Sequence, residues 1–309
     1  MRIGYVGLGN MGTPIFLNLV EYCRQNDLPA PCAWNIDQSR YEEMQARDNR
    51  MELKRELVEV VGQSDILFTC LLNDPVAEDV YRQFFASGHA DGVIFVDQSS
   101  LKPKTSVKLE TLAKEANASY LAAPVFGRPD AAAAATLVQV LAGSAEAKKV
   151  VSPIIVPAVA KRIVDAGEDA AKGNALKLLG NSMILGIVEM LSETFALVDA
   201  IGFDRVVYQS FIREFFPLYP FINYGDNICQ GEFNRPGGFR LEAGLKDARN
   251  ILSLGSDFGA NITLPTIELA KKHLERAEEV CGKDADWSAL AVALREQAGL
   301  PVAVNARAE

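Results

Sequence analysis

The chain has 309 residues, of which 49% are hydrophobic and 23% charged, so it can form a packed core and is not a disordered chain. Its 31 Lys and Arg residues against 40 Asp and Glu give a formal charge of −9, which disfavours nucleic acid and anionic membranes as partners. Five cysteines without Cys-x-x-Cys spacing and only two histidines predict neither a metal site nor a disulfide framework.

The beginning of the chain has the pattern of a folded strand rather than that of a charged, apolar leader. No uncharged apolar run reaches the roughly 18 residues of a membrane span. We therefore expect a cytoplasmic protein that does not associate with membranes.

Short apolar segments alternate with amphipathic segments over the first half, a pattern typical of a parallel sheet covered by crossover helices. The predicted strands cover 2–6, 31–36, 65–71, 93–97, 118–122 and 136–141. The predicted helices cover 13–24, 52–62, 76–86 and 104–116, and the alanine run at 131–135 predicts a further short helix. The strands are nearly continuous apolar runs, which indicates burial on both faces.

Strand patterns end near residue 165. The proline-free segment 168–199 predicts a helix about 48 Å long, which must be covered by packing partners or by a second subunit. Further helices are predicted at 204–215, 241–257, 264–280 and 286–298. The predicted domains are therefore an α/β domain, 1–165, and an all-helical domain, 166–309.

The first predicted strand leads into the first predicted helix through a Gly-x-Gly-x-x-Gly segment, Gly7-Leu8-Gly9-Asn10-Met11-Gly12. In this context Gly7 permits a tight turn, Gly9 lets the backbone approach a pyrophosphate, and Gly12 lets the helix pack on the sheet. The diphosphate would lie at the helix N-terminus, where N–H groups and the helix dipole favour an anion. The segment predicts a dinucleotide site.

The end of the second predicted strand carries three candidate ribose-binding residues, Asn35, Asp37 and Arg40. A carboxylate at Asp37 would bind the ribose 2′-hydroxyl of NAD and repel the 2′-phosphate of NADP, whereas Arg40 would attract that phosphate. We expect NAD(P)(H) binding with NAD slightly favoured. The alternative for Asp37 is that it caps the following helix.

Asn174, Lys177 and Asn181 lie on one stripe of the predicted long helix, because they are spaced by three and four residues. Gly173 and Gly180 flank the stripe and would allow close approach of another backbone or a ligand. A buried lysine can transfer protons near neutral pH. The pattern leaves two interpretations open, an acid–base lysine or a lysine whose ammonium reaches solvent.

Four motifs, taken in order, resemble those of the β-hydroxyacid dehydrogenase family, which includes 3-hydroxyisobutyrate dehydrogenase and has an NAD-binding domain of the 6-phosphogluconate dehydrogenase type. They are Gly7 to Gly12, Ala123-Pro124-Val125-Phe126-Gly127, Gly173-Asn174-Ala175-Leu176-Lys177 through Asn181, and Leu245-Lys246-Asp247-Ala248. A fifth segment, Asp97-Gln98-Ser99-Ser100, matches the family's loop beside the cofactor. The resemblance covers nearly the whole chain. It is specific because all the motifs occur together and in the family's order, whereas any one of them alone would be weak.

The resemblance implies a Rossmann-type doubly wound parallel sheet followed by an all-α domain, with the long helix joining them and helping to form a homodimer. By the same resemblance, Lys177 is the catalytic lysine, Asn181 holds the substrate and the lysine, and Asn174 belongs to the substrate site.

The resemblance also assigns residues around the cofactor. Lys246 and Asp247 are similar to the family's pair near the nicotinamide, where Lys246 would contact cofactor or substrate. Leu72, Asn73 and Ser100 resemble cofactor contacts.

The predicted substrate loop, Val125-Phe126-Gly127-Arg128, departs from the family's usual Pro-Val-Ser-Gly-Gly pattern. Phe126 removes a hydroxyl donor for a small carboxylate. Arg128 either restores an anion clamp or lies on the surface, and the pattern does not decide between them. Together with the aromatic residues between 211 and 224, this departure favours a bulkier, less polar carbonyl substrate.

We expect an oxidoreductase that transfers a hydride between a nicotinamide cofactor and the carbonyl or alcohol carbon of a small β-hydroxy acid or related metabolite. Two alternatives remain, an imine reductase on the same scaffold and a catalytically silent dinucleotide-binding scaffold. The retained Lys177 argues against both, since relatives of these two kinds usually lack that lysine.

Overall fold

The computed structural model describes residues 1–39, 41–235 and 237–302, without the side chains of Glu43 and Arg47. The chain divides into two compact units, one of Met1–Lys177 and one from Leu178 onward. The division falls inside a single long helix, 12 residues after the boundary that the sequence predicts.

The first unit is built around one sheet. Its strands are β1 (Ile3–Val6), β2 (Cys32–Trp34), β3 (Glu52–Leu53), β4 (Ile66–Thr69), β5 (Ile94–Asp97), β6 (Ser119–Ala122), β7 (Val125–Phe126), β8 (Leu137–Gly143) and β9 (Ala160–Asp165). Its helices are α1 (Gly12–Gln25), α2 (Tyr41–Arg47), α3 (Leu57–Gly62), α4 (Asp74–Ala86), α5 (Pro103–Glu115), α6 (Pro129–Ala133), α7 (Ala145–Ala158) and the start of α8 (Ala170–Ala200).

The strand order is β3-β2-β1-β4-β5-β6-β8-β7, with β9 paired to β8. The strands from β3 to β6 are parallel, and β8 runs antiparallel to β6. An order of 3-2-1-4-5-6 with helices as crossovers defines the Rossmann-type doubly wound fold. The predicted α/β class is confirmed.

Aromatic side chains fill the layers on both faces of the sheet. On one face the Tyr5 ring lies 5.9 Å from that of Phe16 in α1 and 6.3 Å from that of Phe68 in β4. On the other face the Phe84 ring of α4 stacks 5.6 Å from that of Phe95 in β5. All five side chains are fully buried, which explains why these strands are continuous apolar runs in the sequence.

The first two turns of α8 belong to the first unit because they pack directly on its sheet. A Cβ atom on Gly173 would lie 2.8 Å from the Ala122 carbonyl oxygen and 2.9 Å from the Ala122 Cβ. Only glycine allows this approach of helix to strand. The contact accounts for a division after Lys177 rather than at the end of β9.

In the part that the structure describes, the second unit consists of helices joined by loops, with one isolated β-bridge between Arg240 and Asp286. It contains the remainder of α8, then α9 (Arg205–Phe215), α10 (Tyr219–Gln230), α11 (Leu241–Asp257), α12 (Pro265–Cys281), a 3-10 turn at Trp287–Leu290 and α13 (Ala291–Gln297). Its core includes Trp287, which packs against Gly244 of α11, where a Cβ would lie 3.2 Å from the indole. No helix among the described residues is long and apolar enough to cross a membrane.

Several element predictions are wrong in detail. The predicted helix 52–62 begins with strand β3, and only its second half is helical; the predicted helix 286–298 is a 3-10 turn followed by α13. The sequence patterns did not predict α2, β7, α7, β9 and α10. Helix α7 contains Pro153 and Pro157, which locally disfavour a helix, and β7 has only two residues, too few for a periodic pattern.

Candidate functional site

The glycine loop between β1 and α1 is held at its first residue by neighbouring strands. The Gly7 N–H donates to the Trp34 carbonyl oxygen at 3.0 Å, and Gly7 has a φ of +102°. A Cβ at Gly7 would lie 2.2 Å from the Cys70 carbonyl oxygen. Both the positive φ and the lack of space require glycine here.

The other two glycines of the loop have different surroundings. A Cβ on Gly12 would lie 1.9 Å from the Gly7 carbonyl oxygen, whereas a Cβ on Gly9 would meet nothing within 4 Å. Helix α1 has no acidic residue in its first turn and no side-chain cap at Met11. The open space at Gly9 and the uncapped helix N-terminus fit the diphosphate of a dinucleotide.

Asn35, predicted to contact the cofactor, holds the glycine loop. Its Oδ1 accepts from the Leu8 N–H at 2.9 Å and its Nδ2 donates to the Asp37 carbonyl oxygen at 2.8 Å. Asp37 itself is exposed, and its Oδ1 accepts from the Ser39 N–H at 3.0 Å. This local turn leaves the carboxylate at the surface beyond β2, while Arg40 lies outside the described residues.

The loops after β4 and β5 are joined by a side chain that the sequence analysis did not single out. The Leu71 N–H donates to Ser99 Oγ at 2.8 Å. Asn73 caps α4, with its Oδ1 accepting from the Val76 N–H at 3.1 Å, and Leu72 is 60% exposed. Ser100 is half-buried. Leu72 therefore presents an apolar surface at the carboxyl edge of the sheet, and Asn73 has a structural role there.

A buried carboxyl group underlies these loops. Asp97 is fully buried and accepts hydrogen bonds from Thr69 Oγ1 at 2.9 Å, the Ser99 N–H at 3.0 Å and Tyr120 Oη at 2.9 Å. Burial raises the pKa of Asp97, while hydrogen bonds from Ser99, Tyr120 and Thr69 act in the opposite direction. The sequence signals for Asp97 are its place at the end of an apolar strand and the match of segment 97–100 to the family's loop, and neither indicates this supporting role.

A second buried network joins β1 to the predicted substrate loop. Tyr5 Oη donates to Gln98 Oε1 at 2.8 Å, and Gln98 Nε2 donates to Gln139 Oε1 at 3.0 Å. Gln139 Nε2 in turn donates to the Ala123 carbonyl oxygen. The network therefore links β1, which leads into the glycine loop, to the start of the segment at 123–128.

Lys177 and Phe126 are in direct contact. The Lys177 Nζ lies 4.3 Å from the centroid of the Phe126 ring, and Lys177 is only 9% exposed. This burial and the ring contact favour the interpretation of Lys177 as an acid–base lysine over that of a lysine whose ammonium extends into solvent. Phe126 belongs to β7 and pairs with Val138 of β8, and Arg128 is half-buried immediately before α6.

Asn174, one turn before Lys177, is fully buried. Its Oδ1 accepts from the Leu101 N–H at 3.0 Å, and its Nδ2 donates to Ser106 Oγ at 2.9 Å. Both ends of the amide are therefore used to fasten α8 to the loop after β5 and to α5. This geometry favours positioning of the helix over contact with a substrate.

A polar cluster also lies within the second unit. Asn181 Nδ2 donates to Asp247 Oδ2 at 2.6 Å, and Lys246 Nζ lies 3.4 Å from Asp247 Oδ1. Asn181 and Asp247 are both buried. Among the residues that the structure describes, no group of three His, Cys, Asp or Glu side chains is placed to hold a metal ion.

The sheet order and the glycine loop define the class of protein, one with a Rossmann-type dinucleotide-binding domain. Residues 2–167 match the family described as the NAD binding domain of 6-phosphogluconate dehydrogenase, and the chain belongs to this family.

Curated relatives agree with this assignment. The uncharacterized oxidoreductase YfjR of Bacillus subtilis is 32% identical over 293 residues, 94% of this chain and 98% of that protein. The NADH-dependent oxidoreductase ucdB of Aspergillus ustus is 27% identical over the same shares of the two chains.

Solved structures share the fold. The 3-hydroxyisobutyrate dehydrogenase of Mycobacterium tuberculosis with L-serine matches with a TM-score of 0.80 at 23% identity, covering 95% of this chain and 99% of that one. An imine reductase of Myxococcus stipitatus with NADP+ matches with a TM-score of 0.62 at 18% identity, covering 94% and 98%. The predicted family resemblance is confirmed, the chain is an NAD(P)-dependent oxidoreductase by its relatives, and its fold is shared by proteins named as a dehydrogenase and as an imine reductase.

The different surroundings of Gly9 and Gly12 generate a prediction. Gly9→Ala places a methyl group in the open space of the loop, so it should raise the Kd for NADH by about tenfold or more and leave the melting temperature nearly unchanged. Gly12→Ala, the matched control, should lower the melting temperature through overpacking worth about 1–3 kcal/mol. Fluorescence titration gives the Kd for NADH, and thermal unfolding gives the melting temperature. If Gly9→Ala bound NADH as tightly as the wild type, the diphosphate would not lie at Gly9.

Proposed function

We propose that the protein interconverts a carbonyl and an alcohol group of a small metabolite, with Lys177 as the general acid and base. The observation that carries the proposal is the buried Lys177 residue, whose ammonium contacts the Phe126 ring. Phe126 lies just after β6, and β6 ends at the same edge of the parallel sheet at which the glycine loop leaves β1. Ligands of doubly wound folds bind at this edge.

The chemistry follows from where charge develops. A bound nicotinamide supplies the hydride for reduction and accepts it for oxidation. During reduction, negative charge builds up on the carbonyl oxygen, where the Lys177 ammonium would stabilise it and donate a proton from Nζ. During oxidation, the neutral Lys177 amine would take the hydroxyl proton.

The remaining polar residues have supporting roles in the proposal. Asn174 positions Lys177 by fastening α8 to the loop after β5. We assign Asn181 and Lys246 of the second unit to ligand binding, with Asp247 orienting both of them, since its carboxylate contacts both side chains. Leu72 and Ser100 are assigned to the cofactor by their place at the carboxyl edge of the sheet.

The proposed substrate is a carbonyl compound with an apolar substituent. Phe126 presents a ring where the resembled family has a hydroxyl donor for a carboxylate. Gly127 keeps this loop tight, since its φ is +138° and an added Cβ would lie 2.4 Å from Leu137 Cδ2, so glycine is required there. Arg128 is assigned to the rim of the same loop, where its guanidinium suits a polar end of the substrate.

Lys177→Ala should lower kcat by at least about 100-fold, the smaller end of what a positioned acid or base contributes, and should leave the Kd for NADH nearly unchanged. The control is Lys172→Ala, since Lys172 is an exposed lysine on the same helix and should have no effect. Steady-state reduction of a panel of aldehydes and ketones, with NADH oxidation followed by absorbance, tests the prediction. If Lys177→Ala retained most of its turnover, Lys177 would have no part in proton transfer.

We propose NAD as the preferred cofactor, because Asp37 places a carboxylate just beyond β2, where a ribose 2′-hydroxyl is bound in this fold. The name of the Aspergillus ustus relative, an NADH-dependent oxidoreductase, supports the proposal.

Asp37→Ala should raise the Kd for NADH about tenfold through loss of a charge-assisted hydrogen bond, and should lower that for NADPH through loss of repulsion. Glu42→Gln, which removes a nearby exposed carboxylate, is the control for the change in net charge. Separate fluorescence titrations with NADH and NADPH at one salt concentration give the Kd of each cofactor for the wild type and for Asp37→Ala. If the wild type and Asp37→Ala had the same Kd values for NADH and for NADPH, Asp37 would not bind the ribose.

We further propose that the chain forms a homodimer and is cytoplasmic. Met183, Met190 and Leu197 recur every seven residues along α8 and are 69%, 61% and 59% exposed. On α9, Val206 and Phe215 are also exposed apolar residues, with exposed fractions of 67% and 68%. A surface of this kind suits a second copy of the chain.

The proposed location rests on the cysteines. All five are free thiols, as is usual in a reducing compartment.

The double variant Met190→Glu, Leu197→Glu should convert the dimer to a monomer, because charges in an apolar interface are costly to desolvate. Val58→Glu, at an exposed apolar position on α3, is the control and should remain a dimer. Sedimentation velocity gives the mass of each species. A wild-type monomer, or a double variant that remains a dimer, would rule out this interface.

A further inference from the structure

The Phe126 ring and the Lys177 ammonium form a cation–π pair. The Nζ lies 4.3 Å from the ring centroid, well inside the distance of about 6 Å at which such pairs attract. Lys177 is 9% exposed and Phe126 is half-buried, so little water weakens the attraction. Pairs in desolvated surroundings lie at the strong end of the range for this interaction.

The backbone fixes the position of the ring independently of Lys177. In β7, Val125 pairs with Gln139 and Phe126 with Val138 of β8. Gln139 is fully buried and donates from Nε2 to the Ala123 carbonyl oxygen, which holds the segment just before β7. The ring is therefore presented from a supported strand, not from a mobile loop.

The backbone also fixes the position of the lysine. Helix α8 contacts β6 at Gly173, where a Cβ would lie 2.8 Å from the Ala122 carbonyl oxygen. The Asn174 amide bonds to the Leu101 N–H and to Ser106 Oγ. Lysine has a flexible four-carbon stem, so a fixed helix alone does not locate its ammonium.

We infer that Phe126 is a positioning residue for the proposed reaction: its ring face holds the Lys177 ammonium in the orientation from which Nζ donates its proton to the substrate oxygen. The inference rests on the proposed role of Lys177 as acid and base. Phe126 forms no bond with the reacting atoms and affects the proton transfer through the lysine. The electron-rich ring face, and not its bulk, is the property that matters.

Replacement of Phe126 by mono-, di- and trifluorophenylalanine tests this property directly. Fluorine withdraws electron density from the ring face and so weakens the attraction for a cation, while the shape of the side chain changes little. We expect kcat to fall stepwise along the series, by about tenfold in total, with the Kd for NADH unchanged. Trifluorophenylalanine at Phe95, a fully buried core position, is the matched control and should leave kcat unchanged.

Conventional variants give a second readout. Phe126→Leu removes the ring but keeps an apolar side chain, so kcat should fall about tenfold, whereas Phe126→Trp keeps a π face and should restore most of it. A fluorinated series with constant kcat, or a Phe126→Leu variant as active as wild type, would overturn the inference. An active Lys177→Ala variant would instead remove the proposed acid–base role itself, so the two failures are distinguishable.

Discussion

Four parallel strands of the first unit end in register at one edge of the sheet, and the placement of its candidate site residues depends on that register. Val6 pairs with Thr69, Thr69 with Asp97, and Asp97 with Ala122. The glycine loop leaves after the first of these residues, and the loop that leads to Phe126 leaves after the last. Residues distant in sequence therefore reach one edge because hydrogen bonding aligns the strand ends.

Buried polar side chains hold the loops at that edge. Asp97 binds three donors from three different segments, and Asn174 uses both ends of its amide to fasten α8. Buried polar groups must be satisfied, so each such residue fixes the loops that supply its partners. Asn35 and Asn73, which the motif pattern assigned to the cofactor, belong partly to this supporting set.

The contact between Phe126 and Lys177 gives the departure of the substrate loop from its family pattern a physical meaning. A serine at this position would offer a hydroxyl to an anion, while a phenyl ring offers a π face to a cation. The ring at this position therefore contacts Lys177 in place of offering a hydroxyl group. The change therefore alters both the surroundings of the Lys177 ammonium, the proposed proton donor, and the polarity of the surface beside it.

Local sequence patterns suffice to predict the alternation of strands and helices, the glycine loop and the stripe on the long helix, because each depends on local periodicity or on backbone freedom at a few residues. The same patterns do not predict β7, because its two residues are too few to show a period. They do not predict α7, because its prolines locally disfavour a helix.

The burial of Lys177, its contact with Phe126 and the two hydrogen bonds of the Asn174 amide follow from the tertiary structure alone. Phe126 and Lys177 lie 51 residues apart in the sequence, and no local pattern links them. Their contact exists because Gly173 allows α8 to approach β6 and because β8 pairs with β7. Contacts of this kind arise from packing between elements, and the local pattern of either segment carries no information about that packing.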